Sequence, residues 1–327
     1  MSGFLGLFQF FVLSVAMLAG VVALATAVVY PQLRPRLKTM GPARRARLLT
    51  VLCMAPLVLA LIQTGLLFAP GVLGAVWPEL DHCLTHGLGG HVPLCVAHPP
   101  GSAGAWLGWI AVAGILGGVG YPLVRDLTRT WRSARMVRQL FRIAEPADGG
   151  LRVVSSPMPL AAATAVADDV LVSTSLVDAL SPRLLTAVVA HERAHLRRRD
   201  PLRRVFAMLL SAGHLPPMRR TLLADLELAC EQASDEEAAK SVGDRLQVAE
   251  ALLAVARMMG GGPTPAVSMA FGATSIEARV DALLAPPAPE GRTSTEVVWL
   301  LAASALAIAA ASPGHHMAEH LIEHLAR

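Results

Sequence analysis

The sequence predicts a mainly α-helical membrane protein, with four transmembrane helices and an α+β domain inserted between the third and the fourth. Of its 327 residues, 54% are hydrophobic, and the mean hydropathy is +0.52. Ordinary soluble domains contain roughly 45–50% apolar residues, so the chain is more apolar than that class. Four long stretches carry no charge, and a charged segment of mixed polarity separates the last two of them.

The uncharged stretches define the predicted membrane helices. They cover about residues 4–30, 48–69, 103–124 and 297–314. A helix needs about 20 apolar residues to cross the hydrocarbon core of a bilayer, so the first three are long enough and the last is near the short limit. The first stretch lacks the basic segment that begins a secretory signal, and we therefore interpret it as a retained anchor.

The positions of Lys and Arg predict the orientation. Basic residues follow the first and the third stretch: Arg34, Arg36, Lys38, Arg44, Arg45, Arg47, Arg125, Arg129, Arg132, Arg135, Arg138 and Arg142. The loop 78–102 has no Lys or Arg, and the tail 315–327 has only Arg327. Because basic loops stay in the cytoplasm, we expect the N-terminus, the loop and the tail outside, and residues 125–296 as a cytoplasmic domain. The same basic residues can pair with anionic lipid, so the pI of 9.2 does not require nucleic-acid binding.

The predicted outer segments contain two further candidate features. Cys83 and Cys95 both lie in the loop 78–102, where a disulfide between them could persist. In the short His-rich tail, His316, His320 and His324 recur every four residues. On a helix they would form one imidazole face, which suggests an outer metal or pH sensor, with an amphipathic tail at the membrane surface as the alternative.

The segment His191-Glu192-Arg193-Ala194-His195 carries the most specific chemistry. Helical side chains four residues apart share a face, so the two imidazoles can bind one zinc ion. Glu192 can then act as general base toward a water molecule activated by the metal. Ser181 followed by Pro182 predicts the start of the helix. The pattern predicts peptide hydrolysis, and the alternative is a surface helix with solvated imidazoles.

A catalytic zinc site of this type needs a third protein ligand. The acidic helix predicted around residues 226–235 offers two candidates, Glu231 and Glu227. If Glu231 binds the metal, Asp235 lies four residues later on the same face and can accept the second N–H of a ligating His. If Glu227 binds the metal, Glu231 takes the outer position. We prefer Glu231, because Asp235 then has a role and Glu227 need not be buried.

Two short β-branched segments precede the motif, at residues 151–155 and 170–173. They predict two or three strands beside the metal helix. The edge of such a sheet can bind an extended peptide by strand addition.

These features in combination resemble the membrane metallopeptidases of the beta-lactam sensor-transducer family (antirepressors of the BlaR/MecR type). The combination consists of three spans, the motif at 191–195, an Arg-Arg-Asp sequence ending at Asp200, the pair Glu231 and Asp235, and a fourth span. The resemblance covers roughly residues 1–312 and is strongest over 181–240. It implies a bacterial-type inner membrane protein that cleaves a cytoplasmic transcriptional repressor in response to an outer signal.

Carried over residue by residue, the resemblance implies one zinc ion bound by His191, His195 and Glu231. Glu192 would be the catalytic base and Asp235 the hydrogen-bond partner of a ligand. The antibiotic receptors of this family carry a large penicillin-binding domain after the last span, and only about a dozen residues follow it here. We therefore expect no covalent beta-lactam binding. The alternative functions are quality control of membrane proteins and a non-catalytic receptor with a structural zinc.

Overall fold

A computed structural model describes residues 2–77, 106–163, 169–259 and 273–286 of the chain. The predicted fourth membrane helix, the loop 78–102, the His-rich tail and the candidate disulfide pair Cys83 and Cys95 lie outside these residues. The first three predicted membrane helices lie largely within them.

Three long helices account for the apolar first part of the described chain. They are α1 (Ser2–Lys38), α2 (Pro42–Val76) and α3 (Trp106–Ile143). Each is long and apolar enough to cross a membrane. All three extend beyond the apolar stretches into the basic segments; α3, for example, continues through the Arg-rich residues up to Ile143. Each apolar stretch and the basic residues at its end thus form one continuous helix.

A four-stranded sheet follows α3. Its strands are β1 (Glu145–Ala147), β2 (Leu151–Val154), β3 (Ala161–Ala163) and β4 (Val170–Ser173), in the order β1-β2-β4-β3. The pair β2 and β4 is parallel, and the two outer pairs are antiparallel. The sequence predicts β2 and β4, whereas β1 and β3 are additional. Strand β3 lies at one edge of the sheet.

Six helices complete the described domain. They are α4 (Thr174–Ala179), α5 (Pro182–Arg197), α6 (Asp200–Leu210), α7 (Pro216–Val242), α8 (Arg245–Met259) and α9 (Ala273–Leu284). A single 3-10 turn, Ser211–Gly213, follows α6. Helix α5 packs between the sheet and α7 and α8, where the buried Ala187 and Val189 contribute to two apolar clusters. The domain is therefore of the predicted α+β type.

Helix α7 joins the domain to the membrane-type helices. An apolar cluster that includes Leu49 and Cys53 of α2 and Leu226 and Cys230 of α7 is almost completely buried. Polar contacts reinforce this packing: the Asp225 carboxylate accepts hydrogen bonds from Tyr30 and Arg34 of α1 at 2.6 to 2.8 Å. Two more contacts tie α7 to the other long helices, Arg219 to Asp126 of α3 and Gln232 to Arg45 of α2.

Candidate metal centre

Helix α5 presents the motif from a rigid and mostly buried segment. The Ser181 hydroxyl accepts a hydrogen bond from the backbone N–H of Leu184, and Pro182 occupies the first turn, as predicted. His191 and Glu192 are 6% and 8% exposed. The sequence around them is apolar because this stretch of α5 packs between the sheet and α8, which holds the motif side chains in place.

Three metal-binding side chains converge beside this helix. The Nε2 atoms of His191 and His195 are 3.1 Å apart, and each lies 3.4 Å from an oxygen of Glu231 on α7. Among the described residues, these three form a group whose ligand atoms lie within 4.8 Å of one another. Glu227, the alternative third ligand, is not in this group. The structure thus brings Glu231, and not Glu227, to the two imidazoles.

Each imidazole is oriented by a buried carboxylate on its other nitrogen. His191 Nδ1 lies 2.9 Å from Asp235 Oδ1, and His195 Nδ1 lies 3.1 Å from Asp200 Oδ2. The Ser234 hydroxyl donates to the same Asp200 oxygen at 3.2 Å. A carboxylate on Nδ1 fixes the tautomer and leaves the Nε2 lone pair free for a metal. Both lone pairs are therefore directed toward the space shared with Glu231.

Arginine side chains surround these carboxylates. Arg279 of α9 is 1% exposed and donates two hydrogen bonds to Asp235, at 2.7 and 2.8 Å. Its third nitrogen lies 3.0 Å from Glu231 Oε2. Arg204 of α6 donates to the other oxygen of Glu231. Arg198 and Arg203 contact Asp200 in the same way. The buried negative charges are thus compensated, which burial of carboxylates requires.

The electrostatics of the cluster favour ionised carboxylates beside a cationic centre. Burial raises the pKa of Glu231, but the two imidazoles and Arg279 lower it more, so it stays well below its ordinary value. Burial lowers the pKa of His191, and the Asp235 carboxylate more than offsets this and raises it to about 9. Burial raises the pKa of Glu227 above its ordinary value. The arrangement that favours a proton on His191 favours a metal cation there as well.

The spacing of the ligand atoms fits zinc. Zinc bonds of about 2.0–2.1 Å in a tetrahedron place neighbouring ligand atoms roughly 3.3 Å apart. The separations of 3.1 and 3.4 Å among the two Nε2 atoms and Glu231 are close to this value. Two neutral imidazoles and one carboxylate are also a ligand set typical of catalytic zinc, which keeps a fourth position for water or substrate.

Two cavities meet at Glu192. One, which we call the polar cavity, has the more polar lining of the two and is bordered by His195, Arg204 and Glu231, together with strand β3. The other is mainly apolar, and its lining residues include Leu176, Val188, Leu252 and Val255. His191, Glu192 and Ala161 border both cavities. The general base predicted from the sequence therefore lies where the candidate metal position, the sheet edge and an apolar pocket adjoin.

The described residues combine three membrane-type helices with a cluster of possible metal ligands, as expected of a membrane-associated metallopeptidase. Residues 131–283, from the second half of α3 to the end of α9, match the family model described as BlaR1 peptidase M56, which indicates a membrane-associated metallopeptidase. The resemblance predicted from the motifs is thereby confirmed. No curated protein and no solved structure matches the chain.

Several residues of the centre were not predicted from the sequence. Asp200 ends the Arg-Arg-Asp sequence that contributes to the family resemblance, but nothing in the sequence predicts its contact with His195. Ser234 lies next to Asp235 in an acidic helix, where it is inconspicuous. Arg279 and Arg204 come from other helices, and their approach to Glu231 depends entirely on the tertiary fold.

Replacement of Arg279 by Met is expected to destabilise the domain strongly. The substitution keeps an unbranched side chain but leaves Asp235 and Glu231 buried without their guanidinium partner. Loss of one member of a buried charged network typically costs about 3–5 kcal/mol. The apparent melting temperature of the purified protein in detergent measures the effect. The matched control is Arg257→Met on the exposed surface of α8, and an equally small shift in both variants would contradict the role of Arg279.

Proposed function

We propose that the protein is an integral-membrane zinc endopeptidase in which His191, His195 and Glu231 bind one zinc ion and Glu192 is the catalytic base. The observation that carries this proposal is the convergence of the three ligand atoms beside a buried glutamate. Zinc, when bound, supplies Lewis-acid polarisation of the peptide carbonyl and lowers the pKa of water. Asp235 and Asp200 hold the two imidazoles in the orientation that this requires.

The protein's own side chains support the remaining steps. Glu192 takes a proton from the attacking water and returns it to the leaving amine, a role for which a buried carboxylate at the cleft is suited. Arg204 is partly exposed to the polar cavity, with its side chain 32% accessible, and can hydrogen-bond the substrate backbone. Its charge would also stabilise negative charge that develops on the carbonyl oxygen.

The shape of the cleft supports binding of an extended peptide. Strand β3 pairs with β4 on one side, and its residues Ala161–Ala163 line the polar cavity. A substrate strand can therefore add to this edge of the sheet, as predicted, and lie across Glu192. The neighbouring apolar pocket, with Leu176, Val188 and Leu252 in its wall, would accept a hydrophobic side chain next to the bond that is cut.

Regulatory proteolysis of a cytoplasmic repressor in response to an outer signal is the biological role that the family match favours. The basic ends of α1 to α3 support the cytoplasmic orientation of the domain. The alternative role is quality control of membrane proteins. Comparison of the proteomes of cells with wild-type protein and with Glu192→Ala separates the two roles, because one stabilised repressor supports regulation and many stabilised membrane proteins support quality control.

Removal of the metal is expected to abolish proteolysis reversibly. Treatment of the full-length protein in proteoliposomes with a zinc chelator should reduce cleavage of unfolded casein to background, and stoichiometric zinc should restore it. The measurement is the release of labelled peptides before and after zinc addition. Cleavage that persists in protein shown to be free of metal would contradict a zinc mechanism.

A further inference from the structure

Residues 200–217, which we call the α6 arm, reach deep between the membrane-type helices. At its tip, a Cβ atom added to Gly213 would lie 3.3 Å from Pro56 Cβ of α2 and 3.7 Å from Ala19 Cβ of α1. The next residue, His214, is buried, and its Nε2 lies 3.0 Å from the carbonyl oxygen of Leu52. The tip of the arm therefore packs in the crevice between α1 and α2.

The contacted residues lie well inside the apolar stretches of α1 and α2. Ala19 lies eleven residues before Tyr30, which at 1.5 Å per residue is roughly 16 Å from the basic end of that stretch. Pro56 lies eight residues after Leu48, or roughly 12 Å from the basic end of the other. The hydrocarbon core of a bilayer is about 30 Å thick. If these stretches span it, the tip of the arm lies at least a third of the way into the membrane.

The surface of the arm is suited to lipid and not to water. From Val205 to Pro217 the chain contains no Asp, Glu, Lys or Arg. Leu202, Phe206 and Leu215 are 53%, 52% and 47% exposed, so three large apolar side chains point away from the protein. Two polar groups at the tip are paired internally: the Ser211 hydroxyl accepts a hydrogen bond from Arg219, and His214 Nε2 lies 3.0 Å from the carbonyl oxygen of Leu52. Internal satisfaction of polar groups is what a chain segment within lipid requires.

The candidate metal centre lies at the base of this arm. Helix α6 begins at Asp200, which contacts His195, and Pro201 and Arg204 of its first turns line the polar cavity. Gln232, adjacent to Glu231, contacts Arg45 in the basic first turn of α2. The centre is therefore at the level where α2 changes from basic to apolar.

We propose that the α6 arm is a re-entrant hairpin embedded in the lipid leaflet at the basic ends of the helices, and that the cleft consequently opens at the bilayer surface. A protein segment held close to the membrane is then cut faster than the same segment free in solution. The statement about substrates rests on the proposed peptidase function, whereas the placement of the arm does not.

Spin labels test the placement of the arm in the full-length protein in lipid vesicles. The label is attached at Phe206→Cys, and Leu246→Cys, 57% exposed on α8, is the matched control. Wild-type protein labelled in parallel measures the background from the four native cysteines. We expect the label at 206 to collide with dissolved oxygen and to be shielded from a water-soluble nickel complex, and the label at 246 to show the reverse. Equal access of the nickel complex to both labels would overturn the placement.

A membrane-anchored casein segment tests the substrate class. It is fused to a single transmembrane helix and incorporated into vesicles with wild-type protein, and free casein is assayed at the same concentration. Mass spectrometry of the anchored substrate should locate the cuts within about ten residues of the helix end, since ten extended residues span roughly 33 Å. The anchored substrate should also be cut at least roughly tenfold faster than free casein at the same concentration. Cuts spread evenly along the segment would overturn the substrate class.

The Glu192→Gln variant separates failure of the two proposals. If it cleaves either substrate as fast as the wild type, or if neither protein cleaves, the peptidase function and the substrate class both fail. The spin-label result would still decide whether the α6 arm is embedded in lipid. If wild type cleaves and Glu192→Gln does not, the pattern of cuts alone decides the substrate class.

Discussion

Substitution of Glu192 by Gln should lower the rate of proteolysis by about 10²–10⁴-fold, the range associated with loss of a general base. Glu192 is nearly buried, and among the described residues it is the carboxylate that borders both cavities. The amide keeps the size of the side chain but cannot accept the proton of the attacking water. The binding of zinc should be unchanged, because Glu192 is not among the three clustered ligands.

The measurement combines initial rates on labelled casein with metal analysis of the same preparation. Glu277→Gln, an exposed acid on α9, is the matched control and should retain wild-type activity. Unchanged activity in Glu192→Gln with full zinc content would contradict the proposed peptidase function of this centre. A structural zinc in a non-catalytic receptor would give no cleavage in any of the three proteins.

The second large effect is expected at Glu231. Replacement of Glu231 by Gln removes the anionic ligand from a site built on two imidazoles and one carboxylate. Zinc affinity should fall by more than the roughly 10–100-fold that is typical when only a hydrogen-bond partner of a ligand is replaced. Activity should fall in parallel at limiting zinc. Competition with a chromophoric chelator measures the affinity directly.

Glu227→Gln is the matched control, because Glu227 lies one turn earlier on the same helix and was the alternative ligand. The raised pKa of this partly buried carboxyl group indicates that the neutral amide is tolerated there. We expect zinc binding within a few-fold of wild type, since no ligand is removed. Loss of zinc in Glu227→Gln with retention in Glu231→Gln would reverse the assignment.

The parts of the fold that follow local patterns were predictable from the sequence. The helix around the motif begins at Ser181 and Pro182 because capping and proline geometry are local properties. The strands at Val170–Ser173 and Leu151–Val154 are rich in β-branched residues, which favour extended backbone. The three long apolar helices follow from the absence of charge.

The missed elements are those that depend on tertiary contacts. Strand β1 contains Pro146, and β3 consists of Ala161–Ala163, so neither has a high intrinsic preference for a strand. Pairing with β2 and β4 creates them. The choice between Glu227 and Glu231 likewise depended on the rotation of α7 relative to α5, which spacing alone does not define. The approach of Arg279 from a separate helix had no local signal.

Asp225, which contacts Arg34 of α1, and Glu231 of the candidate metal centre lie on the same continuous helix, α7. The helix therefore fixes the directions in which the two side chains point relative to each other. Each residue of an α-helix adds about 100° of rotation. A single residue inserted between the two positions would turn either Glu231 away from the imidazoles or Asp225 away from Arg34. The six-residue interval from Asp225 to Glu231 is therefore expected to tolerate substitution far better than any change in length, and homologous chains should differ there in composition but not in register.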